Sequence, residues 1–329
     1  MEKELHIIYT CDNAYLMQVG ISMQSVIVNN PDSHIIFYLA TETDINDNYN
    51  KIVNFYKDNK KIEIKYLDCM RYDNLLEEKK VDKWGSSSYY VYRRLFAYDL
   101  LDVDYVWYLD ADILCLSEID NPVLEEKKVI GTVIDCAHAD YNKIAHINKD
   151  YYFYNDGTMF VDVKKWKNSK CTEKVINYIE NMKYRPLMCD QDILSISLQD
   201  EIQPISPKYD YFAGYDYYGV HNSFKMYSLD KKPFYSEKEV EKASKEVVFY
   251  HCLEGVFGRP WQEDNYSPVK DEYQKYQKQS AWPDYQTKKN DSLLFKIERK
   301  LEKLPSPIYT RIHNLAQKIY LRYISKKYQ

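Results

Sequence analysis

The stretch YVWYLDADIL, residues 105–114, decides the fold because it joins an apolar strand to two acidic side chains. Its first half is apolar, as expected of a strand that is covered on both faces. Asp110 and Asp112 then place two carboxylates at the carboxyl end of that strand. Each carboxylate would be costly to bury without a cation. The stretch therefore predicts a strand whose end binds a positively charged partner.

Further strands and helices alternate along the rest of the chain. Predicted strands cover 5–11, 34–40, 61–67 and 127–135, and predicted helices cover 18–29, 45–59 and 88–101. A strand over 158–163, a helix near 172–182 and a strand over 246–251 follow less regularly. This alternation predicts an α/β fold with a mostly parallel sheet and helices on both faces. Ligands of such sheets bind at the carboxyl ends of the strands, where the two acids lie.

Asp110 and Asp112 also suit a metal ion. In an extended chain, residues i and i+2 point to the same side, so both carboxylates can face one point. Paired oxygen ligands favour Mg²⁺ or Mn²⁺, together with phosphate oxygens. His251 ends a predicted strand and would add a nitrogen ligand, which mildly favours Mn²⁺, and Arg259 is placed to meet phosphate charge. The alternatives are that the two acids are a chance pair in a loop, and that His251 is an ordinary surface or core residue that binds no metal.

Composition excludes several classes of protein. The 329 residues are 45% hydrophobic and 29% charged, which is the composition of one large or two modest globular domains. A net charge of −5 gives no argument for nucleic acid. The seven cysteines are scattered without a C-x-x-C pair, which predicts a reduced chain and argues against a zinc ribbon. The absence of a signal-peptide pattern and of a long apolar run predicts a cytoplasmic location.

Five fragments, taken together and in order, resemble the family 8 glycosyltransferases, the group that includes glycogenin and bacterial lipopolysaccharide galactosyl- and glucosyltransferases. They are IIYTCDNAYLMQVGISMQSV, YRRLFAYDLL with VWYLDADILCL, YNDGTMFVDVKKW, CDQDILS and HCLEGVFGRPW. The resemblance covers residues 5–265. It implies a GT-A fold over residues 1–265, with a Rossmann-like sheet. It also implies Mn²⁺-dependent, retaining transfer of a hexose from UDP-galactose or UDP-glucose, with Mg²⁺ as the alternative ion.

The resemblance also implies roles for individual residues. The metal ligands would be Asp110, Asp112 and His251. The substrate-binding residues would be Thr10 and Asp12 toward the uridine, Arg94 and Arg259 toward the diphosphate, Asn155 and Asp190 toward the sugar, and Gly255 in the last motif. The catalytic residues would be Gln191, beneath the anomeric carbon, and Asp190.

Three features depart from the pattern of the family. Ala14 stands where close relatives have an asparagine near the base, and Asp156 replaces a small residue. The loop between His251 and Arg259 is longer, and this arginine replaces a lysine. These departures bear on the uridine contacts, on the donor-sugar pocket and on the geometry of the phosphate contact.

Several of these residues also have purely structural interpretations. Asp190 and Gln191 belong to a D-Q-D sequence that could be an exposed acidic turn capping a helix over ILSISL. Asn155 begins an N-D-G sequence, which is typical of a turn. Arg94 is adjacent to Arg93, and either could be a solvated position on a helix.

Two other classes of function compete with the transferase. A haloacid-dehalogenase-type phosphatase also ends an apolar strand with D-x-D, and would use Asp110 and Asp112. Here Ile113 and Leu114 follow, where that class has a threonine. A sugar- or nucleotide-binding pseudoenzyme would keep the fold but lose the metal ligands, and the intact set of two acids and His251 argues against it.

Residues 266–329 form a predicted helical extension. From residue 288 it carries eleven Lys/Arg against three Asp/Glu, a balance of +8, so a net charge of −5 leaves −13 on the rest. Its apolar residues recur at helical spacing at Ile308, Ile312, Leu315, Ala316, Ile319 and Tyr323. A basic amphipathic helix predicts peripheral binding to the anionic inner face of a membrane, and hence a lipid-linked or cell-surface glycan acceptor. The alternatives are a helix folded back on the acidic body and a contact with a second subunit.

Trp84 and tyrosines 211, 215, 217 and 218 are candidates for stacking on an acceptor sugar.

Overall fold

A computed structural model describes residues 3–42, 47–81, 89–148, 150–183 and 185–328. Trp84 lies outside these residues, as do residues 45–46 and residue 88 of two predicted helices. Within the described part of the chain, no helix is both long enough and apolar enough to cross a bilayer.

The described strands form two sheets. They are β1 (Lys3–Thr10), β2 (Ser33–Ala40), β3 (Ile62–Tyr66), β4 (Tyr105–Leu109), β5 (Ile113–Cys115), β6 (Ile130–Ile134), β7 (Tyr154–Asp162), β8 (Ile202–Pro204), β9 (Tyr211–Phe212) and β10 (Phe249–His251). The seven-stranded sheet has the order β3-β2-β1-β4-β7-β6-β8, and the three-stranded sheet has the order β5-β10-β9. In the large sheet, neighbours are parallel except where β7 pairs with β4 and β6. The prediction of a mostly parallel sheet is confirmed.

Helices cover both faces of the large sheet. They are α1 (Leu16–Asn29), α2 (Asp47–Tyr56), α3 (Met70–Glu78), α4 (Tyr141–Ile144), α5 (Val163–Asn168), α6 (Cys171–Asn181), α7 (Cys189–Ser197), α8 (Ala213–Tyr218), α9 (Val220–Tyr227), α10 (Glu237–Ala243), α11 (Lys270–Lys278), α12 (Leu293–Leu301) and α13 (Ser306–Tyr328). Alternate residues of β1 enter two separate cores, with Ile7 and Tyr9 in one and Ile8 in the other. This alternation follows from the two-residue period of a strand.

Two predicted elements differ from the structure. The predicted strand at the end of the 105–114 stretch is divided, because a turn closed by the Ile113 amide donating to the Asp110 carbonyl separates β4 from β5. The predicted helix over 88–101 is two 3₁₀ helices, Tyr90–Leu95 and Ala97–Leu100. Phe96 separates them, since its φ of −135° is not helical.

The C-terminal helix α13 lies on the body of the protein, against α9 and α4. Leu321 and Ile324 are buried there in a small core with Tyr141 and Phe153. The structure thus favours the alternative in which this helix folds back. The opposite side of α13 still exposes apolar side chains, namely Leu315, Ile319, Tyr320 and Tyr323. The domain boundary near residue 265 stays a prediction.

Candidate active site

Asp110, Asp112 and His251 come together where the two sheets meet. One potential ligand atom from each lies within 4.8 Å of the other two. The acids lie in the turn between β4 and β5, and His251 ends β10 directly opposite Ile113. The acids are therefore not brought together by an extended chain, as the i, i+2 argument supposed, but by a turn. Two carboxylates and an imidazole make a donor set that fits a divalent ion such as Mn²⁺.

Asp112 lies between two cationic side chains. Its Oδ1 is 3.4 Å from His251 Nε2, and its Oδ2 accepts a hydrogen bond from Arg259. Burial by itself would raise the pKa of Asp112, but the charges of His251 and Arg259 outweigh burial and lower that pKa. The protein thus stabilises this carboxylate in its ionised form.

Asp210 orients the imidazole from behind. Its Oδ1 lies 2.9 Å from His251 Nδ1, and its side chain is fully buried. Burial would lower the pKa of His251, but Asp210 and Asp112 raise it well above its usual value. A carboxylate behind a histidine sets which ring nitrogen faces a metal. Asp210 was not predicted from the sequence, because nothing in the local sequence connects it with a strand about 40 residues later.

Arg94 serves three carboxylates at once. Its guanidinium nitrogens lie 2.8 Å from Asp110, 3.2 Å from Asp156 and 2.8 Å from Asp190. Burial first, and then neighbouring acids, raise the pKa of Asp110 and of Asp156 despite the arginine. Oδ2 of Asp156 is buried and has no hydrogen-bond partner among the described residues, whereas Oδ2 of Asp190 lies 2.8 Å from Arg94 Nε. This part of the site is short of positive charge, which is a second indication that a divalent cation fits there.

The two adjacent arginines point to different places. A 3₁₀ helix has three residues per turn, so successive side chains diverge. Arg93 turns away from the site to Asp73, 2.6 Å away, and to the carbonyls of Ala40 and Thr41. Both arginines are buried, so the alternative of a solvated helix position was wrong.

Asp135 connects two of the predicted sugar-binding and catalytic residues. Its Oδ2 accepts hydrogen bonds from Asn155 Nδ2, at 2.8 Å, and from Gln191 Nε2, at 2.9 Å. Asp135 was not predicted as a site residue, although it ends the predicted strand over 127–135. An acid at the carboxyl end of a parallel strand was the available signal.

Gly157 allows the histidine to approach the N-D-G segment. A Cβ at this position would lie 2.5 Å from His251 Cε1 and 2.9 Å from Asn155 Oδ1. The Gly157 carbonyl also accepts a hydrogen bond from the Asp110 amide, at 2.8 Å. Only glycine leaves room for this contact. The segment lies in β7, so the alternative interpretation of Asn155 as a turn residue was wrong.

The remaining predicted residues lie around this centre. Thr10 Oγ1 is 3.1 Å from the hydroxyl of Tyr108, which donates a hydrogen bond to Asp110 at 2.6 Å. Asp12 accepts a hydrogen bond from the amide of Tyr15, at 3.0 Å, and its contact with uridine stays a prediction. Gly255 lines a cavity beside α12 and α13.

Comparison with known proteins identifies the family. A family model described as glycosyl transferase family 8 matches residues 6–264. The chain belongs to this family. Its matches include lipopolysaccharide 1,2-glucosyltransferase of Escherichia coli K12, which is 26% identical over 208 residues, or 59% of this chain and 58% of that protein. General stress protein A of Bacillus subtilis is 22% identical over 289 residues, covering 84% of this chain and 94% of that protein. The present chain spans less than two thirds of the length of the Escherichia coli relative.

Solved structures show the same fold. The galactosyltransferase LgtC, in complex with donor and acceptor sugar analogs, superposes with a TM-score of 0.64 at 17% identity, over 84% of this chain and 96% of that chain. The bifunctional enzyme WbbM gives a TM-score of 0.65 at 15% identity, over 86% of this chain and 51% of that chain. The GT-A fold implied by the resemblance is confirmed. Neither these comparisons nor the described part of the structure supports the phosphatase alternative.

Proposed function

We propose that this family 8 glycosyltransferase transfers galactose or glucose from a UDP-sugar to a glycan or lipid-linked acceptor, with retention of anomeric configuration. The observation that carries the proposal is the cluster of Asp110, Asp112 and His251 with Arg94 and Arg259 beside it. The similarity to a lipopolysaccharide glucosyltransferase supports a hexose donor and a role in cell-surface polysaccharide biosynthesis.

Asp110, Asp112 and His251 are the residues that would hold Mn²⁺, with Mg²⁺ as the alternative. When bound, the ion supplies Lewis-acid stabilisation of the negative charge on the departing diphosphate. Arg259 adds a guanidinium beside Asp112, and guanidinium groups bind phosphate oxygens in a bidentate manner. Asp210 keeps the histidine ring oriented.

Asp190 and Gln191 would act on the sugar. The transition state is oxocarbenium-like, so the Asp190 carboxylate stabilises it electrostatically while Arg94 holds that carboxylate in place. Gln191 is tied through its amide nitrogen to Asp135, which orients its side chain. An amide is a poor nucleophile, so we favour a front-face route. The bond from the anomeric carbon to the phosphate oxygen breaks, the acceptor oxygen bonds to the same face, and its proton passes to the departing UDP.

Calorimetric titration of UDP tests the donor site. We expect wild-type protein to bind UDP in the presence of Mn²⁺ and to lose that binding in EDTA. Asp112→Asn should abolish the Mn²⁺-dependent binding, whereas Asp230→Asn, at an exposed position, should not change it. UDP binding that is equal in Mn²⁺ and in EDTA, or the absence of UDP binding, would count against the proposal. Proton NMR of the product tests retention, and an inverted anomeric centre would exclude it.

We further propose that the extension attaches the enzyme to the anionic inner face of a membrane. The net charge of residues 288–329 and the exposed apolar side chains of α13 support this proposal. Basic amphipathic helices bind such surfaces by burying their apolar side chains and by attraction of their basic side chains to anionic lipids. The full chain should float with phosphatidylserine vesicles, and Ile319→Ser with Tyr323→Ser should float less. Equal flotation of both forms would contradict membrane attachment.

A further inference from the structure

A cavity of about 340 Å³ lies between the catalytic body and the C-terminal helices. The body contributes the loop over 253–257 and aromatic side chains, and the helices contribute Phe295, Glu298, His313 and Gln317. Sites for small molecules begin at roughly 300 Å³, so the space suits a sugar-sized ligand. The family model matches residues 6–264, so the wall built by α12 and α13 lies outside the matched residues.

The cavity borders the catalytic site. Cys136, on its wall, directly follows Asp135. Phe212, on the same wall, has its ring centroid 5.9 Å from that of His251. Gly255 lines the cavity four residues after His251. The cavity is therefore adjacent to residues of the proposed donor site.

The lining is aromatic with a few polar groups, which is the usual character of a site that binds a small polar molecule. The aromatic side chains are Phe212, Tyr215, Tyr218, Tyr227, Phe257 and Phe295. His313 Nε2 lies 4.0 Å from Glu298 Oε1, and the His313 side chain is only 11% exposed. His313 Nδ1 is buried and finds no hydrogen-bond partner among the described residues. A buried polar atom without a partner is costly, and a ligand hydroxyl would satisfy it.

The charge of the lining restricts the ligand. The described residues that line the cavity include Glu254 and Glu298 but no lysine or arginine. Phosphorylated or carboxylated ligands would meet uncompensated negative charge there. Hydroxyl groups would instead donate to the glutamates, so the cavity favours an uncharged sugar.

We propose that this cavity is a subsite for an uncharged sugar unit of the acceptor, and that Glu298 and His313 recognise its hydroxyl groups. The proposal rests on the proposed transferase function and adds the class of acceptor to it. It makes the C-terminal extension a determinant of acceptor specificity, in addition to any role at a membrane.

Saturation-transfer NMR on the full chain, with UDP and Mn²⁺ present, tests the subsite. The probes are the methyl glycosides of galactose, glucose and N-acetylglucosamine, together with lactose and maltose, and lactobionate as the carboxylated counterpart. At least one uncharged probe should bind better than lactobionate. Its dissociation constant should rise at least tenfold in Glu298→Gln and in His313→Phe. Arg311→Gln, at an exposed position of α13, is the matched control and should bind as wild type does.

The outcomes separate this inference from the proposed function. If no uncharged probe binds, if lactobionate binds best, or if binding is unchanged in both variants, the subsite is wrong. Should His313→Phe fail to fold, the nearly isosteric Glu298→Gln still decides the matter. Intact Mn²⁺-dependent UDP binding without sugar binding would overturn only the subsite, whereas absent UDP binding in the wild type would overturn the proposed function itself.

Discussion

Asp110 and Asp112 lie in the same turn, two residues apart, yet their surroundings are opposite. Asp112 sits between His251 and Arg259, and their charges lower its pKa against the effect of burial. Asp110 shares Arg94 with two further acids, and burial raises its pKa. The comparison teaches that the surroundings, and not the residue type, set the charge state of each carboxylate.

The two sides of the site therefore have different needs. On the Asp112 side, the protein itself supplies the Arg259 guanidinium and the His251 imidazole. On the Asp110 side, one guanidinium faces three carboxyl groups, and Oδ2 of Asp156 has no hydrogen-bond partner among the described residues. A bound divalent cation would relieve the shortage on that side.

Of the substitutions considered for the two sides of the site, Arg94→Met should have the largest effect on stability and on UDP binding. It leaves three buried acids without their shared cation, and breaking a buried ion pair from one side costs about 3–5 kcal/mol of unfolding free energy. Mn²⁺-dependent UDP binding should be lost as well. Arg93→Met is the matched control, because Arg93 is also buried and paired but faces Asp73. It should lower the unfolding free energy and leave UDP binding intact. Loss of UDP binding in a folded Arg93→Met protein would show that the two arginines are not separate in function.

Asp210→Asn tests the Asp112 side with an intermediate effect. The substitution weakens the partner that orients His251, and loss of such a partner typically lowers metal affinity about 10–100-fold. Titration with Mn²⁺, followed by electron paramagnetic resonance, measures this affinity. Asp230→Asn, at an exposed position, should leave it unchanged. Equal Mn²⁺ affinity in wild type and Asp210→Asn would mean that the histidine does not bind the metal in this orientation.

Asp156→Asn should have the smallest effect, and it tests the pH dependence of stability on the Asp110 side of the site. Burial and the neighbouring Asp190 raise the pKa of Asp156, so the folded state holds this proton more tightly than the unfolded state does. Stability from Asp156 is therefore present below an unfolded pKa of about 4 and is lost as pH rises above it. Asp112 has the opposite sign, since its lowered pKa stabilises the fold above that pH. Urea unfolding measures the free energy of unfolding as a function of pH. As pH rises above about 5, this free energy should fall less in Asp156→Asn than in wild type, by on the order of 1 kcal/mol. Parallel profiles for wild type and variant would contradict the assignment.

Much of the site was predictable because several of its residues follow strands. Asp110, Asp112 and His251 follow or end apolar runs, and ligands of α/β sheets bind at the carboxyl ends of strands. The pairing of β10 with β5, which brings His251 to the two acids, is antiparallel and joins a second sheet, so it was not predictable in this way. Arg93 was not predictable as buried, because adjacent basic residues in a helical segment are usually solvated. The 3₁₀ geometry directs it to Asp73 and Arg94 to the acids.

The sequence by itself determined the alternation of strands and helices, the family, and the choice of two acids and a histidine as candidate metal ligands. These follow from local periodicity and from the order of motifs. Only the tertiary structure decided that Asp156 and Asp190 share one arginine with Asp110, and that α12 and α13 close a cavity beside the site. The physical reason is that charge states and cavities depend on distances between side chains far apart in the chain, which no local pattern contains.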